Sequence, residues 1–211
     1  MPAYAFTWRY SLNKADKNVL SGRAAEVRPF YVMELLARAG QLEAEGRSVL
    51  HLEVGEPDFP TPQPIIDAGI RALRQLKTHY TPALGLPELR QSIAAYYQQK
   101  FNVEIDARRV IVTPGASGAL QLALSVLVDT GDNVLLTDPG YPCNRNMVSL
   151  LGADSTVVPV SEDTQFQLQA SHISAHWNEK SVAAMIASPS NPTGTMIQQQ
   201  SLIDLIAAVN D

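Results

Sequence analysis

The chain has 211 residues, 45% of them hydrophobic and 18% charged, a balance that supports one or two domains with a sizeable core and excludes a disordered chain, a coiled coil or a collagen-like polymer. Sixteen Lys and Arg against 21 Asp and Glu leave a net charge of -5, so no basic stripe is available to neutralise the phosphates of a nucleic-acid partner. The single cysteine, Cys143, excludes an internal disulfide and a multi-cysteine zinc site and points to a reducing, cytoplasmic setting, and no run approaches the roughly 20 apolar residues of a membrane span.

The first 24 or so residues carry no clear hydrophobic period, and residues 1–28 read as a poorly structured arm. Arg9, Lys14, Lys17 and Arg23 lack the amphipathic face of a transit segment, and Asp16 interrupts them. Leu35, Ala39 and Leu42 then fall at i, i+4 and i+7, which predicts a helix over 30–45, stopped near Gly46. Ser48 to Leu52 reads as a short strand. The prolines of Gly55-Glu56-Pro57-Asp58-Phe59-Pro60-Thr61-Pro62 make a loop. Ile66, Ile70 and Leu73 mark a second helix, and Leu89, Ile93 and Tyr97 a third, with a loop over 78–87 between them.

The second half alternates. Val110-Ile111-Val112 predicts a strand, and Leu120, Leu124 and Leu127 a helix with Ser117 near its start. Asn133 to Thr137 is the next strand. Asp138-Pro139-Gly140-Tyr141-Pro142 turns the chain into a helix through Met147 and Leu151. Strands follow at Thr156 to Val160 and Ser181 to Ala187, and a closing helix runs on Leu202, Leu205, Ile206 and Val209. Alternating strands and helices predict an α/β fold with a mostly parallel sheet and helices on both faces. In such a sheet the loops 113–118, 138–143 and 188–195 share the carboxyl edge, where ligands bind.

The segment Thr113 to Ala119 is a small-residue turn into a helix, whose free N–H groups and macrodipole attract an anion such as phosphate. Its glycine spacing fits neither a P-loop nor a dinucleotide fingerprint. It nearly matches the nucleophile elbow Gly-x-Ser-x-Gly, with Ala119 at the last position. A serine hydrolase would then need His172 or His176, and the loops at 55–62 and 188–195 would have no purpose. The same two histidines, four apart, would share a helix face; without a third ligand, a solvated face is the expected reading over a metal pair. Asn191-Pro192-Thr193-Gly194 reads as a turn, and at a strand end its asparagine can hydrogen-bond a polar substituent of a ring. Tyr141 can stack on such a ring, and Cys143 is a small buried filler.

In order, Gly55-Glu56-Pro57-Asp58-Phe59, Tyr80-Thr81-Pro82-Ala83-Leu84-Gly85 with Leu89-Arg90, Thr113-Pro114-Gly115-Ala116-Ser117, Asp138-Pro139-Gly140-Tyr141-Pro142 and Ser190-Asn191-Pro192-Thr193-Gly194-Thr195 resemble the motifs of the class I/II aminotransferases. These are pyridoxal-phosphate enzymes of fold type I, and the likeness runs over roughly residues 28–209. It implies an N-terminal helical arm, a segment over 29–76 that holds part of a small domain and the loop covering the site, and a cofactor-binding large domain over 77–211. Gly55 would approach the substrate carboxylate through its backbone. Tyr80 would reach the cofactor phosphate of a partner subunit, which implies a homodimer with amino acid and 2-oxo acid substrates. Gly115, Ala116 and Ser117 would cradle the phosphate, Tyr141 would stack on the pyridine ring, and Asn191 would bond its phenolic oxygen.

Members of that family are about twice as long. The likeness implies that an aspartate for the pyridine nitrogen, the Schiff-base lysine and a C-terminal domain with a substrate-binding arginine follow the helix at 199–209. None of Lys14, Lys17, Lys77, Lys100 and Lys180 sits in the family's lysine context. The expectation is therefore a truncated, inactive aminotransferase with exposed apolar surface. A carbon–sulfur lyase on the same fold and a non-catalytic binding module are the alternatives.

Overall fold

Strands β1 (Asn133–Asp138), β2 (Asp154–Pro159) and β3 (Ser181–Ala184) form a parallel sheet in the order β2-β1-β3. They belong to a computed structural model that describes residues 21–27 and 29–210. The chain divides into two compact units, one of Val128–Asp211 with the residues up to Pro29, the other of Phe30–Leu127.

In the first unit, each strand is an apolar run bounded by turn residues. The helices are α1 (Gly22–Glu26), α6 (Pro142–Leu150), α7 (Ala170–His176) and α8 (Gln199–Asn210). The chain leaves β1 through α6 to reach one edge of the sheet at β2. It then returns through α7, past β1, to the other edge at β3. Right-handed crossovers running in opposite directions place α6 and α7 on opposite faces. Burial agrees: Leu135, Val158, Leu168, Ile173 and Leu205 form one cluster beneath α7 and α8. Val134 and Leu136 alternate onto the other face, where α6 buries Val148. Each fully buried aliphatic side chain contributes roughly 1.5–3 kcal/mol. α1, capped by the Ser21 hydroxyl, packs on α6, and the Arg23 guanidinium donates to the Leu150 carbonyl at 3.0 Å.

One polar residue is built into this sheet. Asn133 is buried; its Nδ2 donates to Ser181 Oγ at 3.0 Å and its Oδ1 accepts from Thr156 Oγ1 at 3.0 Å. The carboxamide bridges all three strands near their amino ends, beside the irregularity in the β1–β3 register between Asn133 and Val134.

The second unit is helical: α2 (Tyr31–Ala44), α3 (Gln63–Arg74), α4 (Pro87–Phe101) and α5 (Gly115–Leu127). Proline within the first two positions starts α3 and α4, where its missing N–H costs nothing. Two expected strands are absent here. Ser48 to Leu52 forms no ladder, and Leu50 and Leu52 stand exposed; the neighbouring His51 instead bonds Glu43 and Glu53. Val110 to Val112 also pairs with no strand. The Arg90 guanidinium takes the Val110 carbonyl at 2.8 Å, and Val112 N–H donates to the Leu84 carbonyl at 3.1 Å. A strand needs a neighbouring edge that offers these groups partners, and other groups hold them. Large apolar side chains are exposed in both units, Phe59, Val126 and Ile206 among them. Among the described residues, no helix is long and apolar enough to cross a membrane.

Candidate functional site

The order β2-β1-β3 sets a topological switch point at the carboxyl ends of β1 and β3. The chain leaves the carboxyl end of β1 toward the α6 face and the carboxyl end of β3 toward the opposite face. Two adjacent parallel strands whose exits diverge leave an opening between their loops, the topological switch point at which such sheets take ligands. Tyr141 follows β1 and Asn191 follows β3, so the fold assigns both to the two loops of this switch point.

Tyr141 is the residue before α6, with Pro142 at the first helical position. It is half-buried, and its carbonyl accepts from Asn144 N–H at 3.1 Å. The turn that delivers it is tight. A Cβ at Gly140 would lie 2.5 Å from the Thr137 carbonyl oxygen, so the turn admits only glycine without opening. Val160 N–H donates to the Asp138 carbonyl at 2.9 Å, which pins the start of this turn to the end of β2. Cys143 is a free, half-buried thiol.

Asn191 sits in a closed loop. Ser190 N–H donates to the Thr195 carbonyl and Gly194 N–H to the Ser190 carbonyl, each at 2.8 Å. Gly194 adopts φ +69°, a left-handed conformation that glycine takes without strain. The Thr193 and Thr195 hydroxyls lie 2.9 Å apart. Ser188 Oγ accepts from Ile197 N–H at 3.1 Å and closes the base. Asn191 is exposed, and its carboxamide makes no hydrogen bond to the described residues. The Asp138–Pro139, Ser188–Pro189 and Asn191–Pro192 peptide bonds are cis.

Gly55, Tyr80, Gly115, Ala116 and Ser117 belong to the second unit. Gly115 opens α5 at φ +74°, with its N–H on the Thr113 carbonyl and its own carbonyl accepting from Thr113 Oγ1, both at 2.8 Å. The N–H groups of Ala116, Ser117 and Gly118 lie in the first turn, where a helix offers no internal acceptor. Ala116 and Ser117 are exposed. Thirteen residues of aligned peptides stand behind them, so the end is a positive pole with donors, suited to a phosphate. Gly55 is exposed, with nothing within 4 Å of where a Cβ would lie. Tyr80 is fully exposed among the described residues.

The histidines are neither a metal pair nor a solvated face. Both are half-buried and turned to their own helix: His172 Nδ1 accepts from Gln169 N–H at 3.1 Å, and His176 Nδ1 donates to the His172 carbonyl at 3.0 Å. Among the described residues, no group of His, Cys, Asp and Glu is placed to hold a metal ion. The shifted titrations sit elsewhere. Hydrogen bonds to Glu43 and Glu53 push His51 above its ordinary value, and those from Arg108 hold Asp106 at about 2.

Sequence reasoning missed Gln167. It is buried, and its Nε2 donates to the Thr195 carbonyl at 2.9 Å and to Thr195 Oγ1 at 3.0 Å. The one available signal was a polar residue between Phe166 and Leu168, where the chain enters the core.

The model of the class I and II aminotransferase family matches residues 47–211. The (5-formylfuran-3-yl)methyl phosphate transaminase of Methanocaldococcus jannaschii is 43% identical over 182 residues, 86% of this chain and 47% of that protein. The valine–pyruvate aminotransferase of Mycobacterium tuberculosis is 37% identical over 178 residues, 84% of this chain and 46% of that protein. A crystal structure of an aminotransferase from Mycobacterium tuberculosis superposes with a TM-score of 0.86 at 34% identity, over 92% of this chain and 50% of that one. The chain thus spans about half the length of the relatives it matches.

Proposed function

The chain belongs to the class I and II aminotransferases, and from that premise we propose that it supplies the cofactor-holding part of a homodimeric, cytoplasmic enzyme that moves an amino group between an amino acid and a 2-oxo acid. The observation that carries the reading is the strand order, which puts a half-buried aromatic, Tyr141, and an exposed carboxamide, Asn191, on the two loops of the switch point. The donor set suits pyridoxal phosphate. A helix amino end with unsatisfied N–H groups suits its phosphate dianion, a tyrosine suits its ring, and a carboxamide donor suits its phenolic oxygen.

When bound, pyridoxal phosphate supplies an electron sink for charge developing at the substrate Cα. In this reading Gly115, Ala116 and Ser117 fix the phosphate through backbone N–H groups and the Ser117 hydroxyl. Tyr141 covers one face of the ring and excludes water from it. Asn191 donates Nδ2–H to the phenolic oxygen and favours its ionised form. Gly55 brings backbone to the substrate carboxylate, and Tyr80 extends to the phosphate of the partner subunit. The full exposure of Tyr80 among the described residues supports that role, because a side chain serving a partner is left uncovered by its own chain.

The base that moves the Cα proton is assigned to none of Lys14, Lys17, Lys77, Lys100 and Lys180. We therefore read residues 29–76 as the site-covering segment and 77–211 as the cofactor domain, and expect the 211-residue chain to bind the cofactor without transferring amino groups. The relatives described above are named transaminases or aminotransferases, and a lyase reading draws no support from them.

Borohydride reduction in the presence of pyridoxal phosphate, followed by peptide mapping, tests this assignment. Scattered, substoichiometric labelling is expected, since exposed amines react with aldehydes indiscriminately. One stoichiometric pyridoxyl-lysine with measurable amino transfer would overturn it.

A further inference from the structure

Gln167 lies outside every motif above, yet it is the buried anchor of the Asn191 loop. The residue is 5% exposed. Both Nε2 protons go to one residue, to the Thr195 carbonyl at 2.9 Å and to Thr195 Oγ1 at 3.0 Å. Thr195 in turn closes the loop: its carbonyl also accepts Ser190 N–H, and its hydroxyl meets that of Thr193. Asn191 follows Ser190 directly. A continuous set of hydrogen bonds therefore runs from the buried carboxamide of Gln167 to the residue beside Asn191.

The anchor is itself held. Gln165 and Phe166 adopt φ +52° and +53°, a conformation that costs non-glycine residues and persists only where surroundings impose it. Here Phe166 N–H donates to the Ser161 carbonyl at 2.7 Å, Gln167 N–H donates to the Thr164 carbonyl at 3.0 Å, and Leu168 is fully buried.

We propose that Gln167 is a positioning residue of the cofactor site: without touching cofactor or substrate, it sets the angle at which Asn191 meets the phenolic oxygen. The inference rests on the role given to Asn191 above.

The test uses the 211-residue chain and 4′-deoxypyridoxine 5′-phosphate, which has no aldehyde and binds without covalent chemistry. The readout is the phenolic pKa of the bound probe, followed by ultraviolet absorbance. A donor on the phenolic oxygen favours the ionised form, so Asn191→Ala raises that pKa. Gln167→Met, which keeps length and loses the donor, is expected to raise it in the same direction, by up to about tenfold in proton affinity, the worth of one hydrogen bond. Thr195→Val removes the hydroxyl from the other side and gives a second, smaller shift should Gln167→Met fail to fold. In an Asn191→Ala background neither substitution adds anything, whereas a merely structural role moves unfolding and not this pKa. A shift in Asn191→Ala with none in Gln167→Met and Thr195→Val overturns the positioning role and leaves the Asn191 assignment standing. No shift in Asn191→Ala, or no binding of the probe, overturns that assignment and this proposal with it.

Discussion

Replacing Gly140 by alanine should disturb the site while leaving the sheet in place. A Cβ there stands 2.5 Å from the Thr137 carbonyl oxygen and 3.1 Å from Thr137 Oγ1. A carbon rests against a carbonyl oxygen at about 3.3 Å or more, so the turn must open by about 0.8 Å. The obstacle is backbone at the end of β1, pinned to β2 by the bond from Val160 to Asp138, so the movement passes forward to Tyr141. Overpacking of this kind costs about 1–3 kcal/mol, and each kcal/mol lowers the melting temperature of a chain this size by about 2–4 °C. Loss of well-placed aromatic contact, at about 0.5–1.5 kcal/mol, should weaken binding of deoxypyridoxine phosphate by roughly 2–12-fold. Thermal unfolding and fluorescence titration measure the two effects together. Gly40→Ala is the control, since a Cβ there meets nothing within 4 Å and alanine favours the helix it sits in; binding should stay at the parent value and melting should not fall. A Gly140→Ala chain that melts and binds like the parent would refute the reasoning.

Leu135→Ala, which empties a fully buried position in the cluster beneath α7 and α8, should cost about 2–5 kcal/mol in denaturant unfolding; a loss below about 1 kcal/mol would contradict that core. His51 should titrate above its ordinary 6.5, because both ring nitrogens bond carboxylates. Its folded value is the raised one, so its contribution to stability is complete below 6.5 and disappears as pH rises through the folded value. An NMR titration should show this, with Glu53→Gln bringing His51 down, and a value at or below 6.5 would contradict the pairing. A serine-directed phosphonate should leave Ser117 unlabelled, because Ser117 stands exposed at a helix start and the Nδ1 hydrogen bonds of His172 and His176 go to Gln169 and to the His172 carbonyl, not to a serine. Covalent labelling at Ser117 would revive a hydrolase reading of that loop.

The strands at Asn133, Thr156 and Ser181 were legible because each is an apolar run between turn residues, and such runs are buried wherever a sheet forms. Their ends were less so: β2 begins at Asp154 and β3 stops at Ala184, since ladder partners rather than composition decide where pairing stops. Val110 to Val112 has equal strand propensity, but Arg90 and Leu84 hold its polar groups, and no local pattern announces such competitors. Tyr141 and Asn191 could be placed on strand-exit loops because proline-bearing turn residues follow the apolar run that precedes each. The strand order that puts them on neighbouring loops was not legible, as it depends on which way each crossover runs. Gln167 escaped because its role lies in a bond to Thr195, 28 residues away, within a glutamine-rich stretch that reads as surface. The two histidines show the same limit, since their spacing matched a shared face while a single turn of backbone took both rings.

A crystal structure of the chain with 4′-deoxypyridoxine 5′-phosphate tests the central claim most directly. The account predicts the phosphate on the N–H groups at the start of α5, the ring against Tyr141, and the phenolic oxygen within hydrogen-bond distance of Asn191 Nδ2. A probe seated away from the carboxyl ends of β1 and β3, or one whose phosphate engages neither Ala116 nor Ser117, would contradict it.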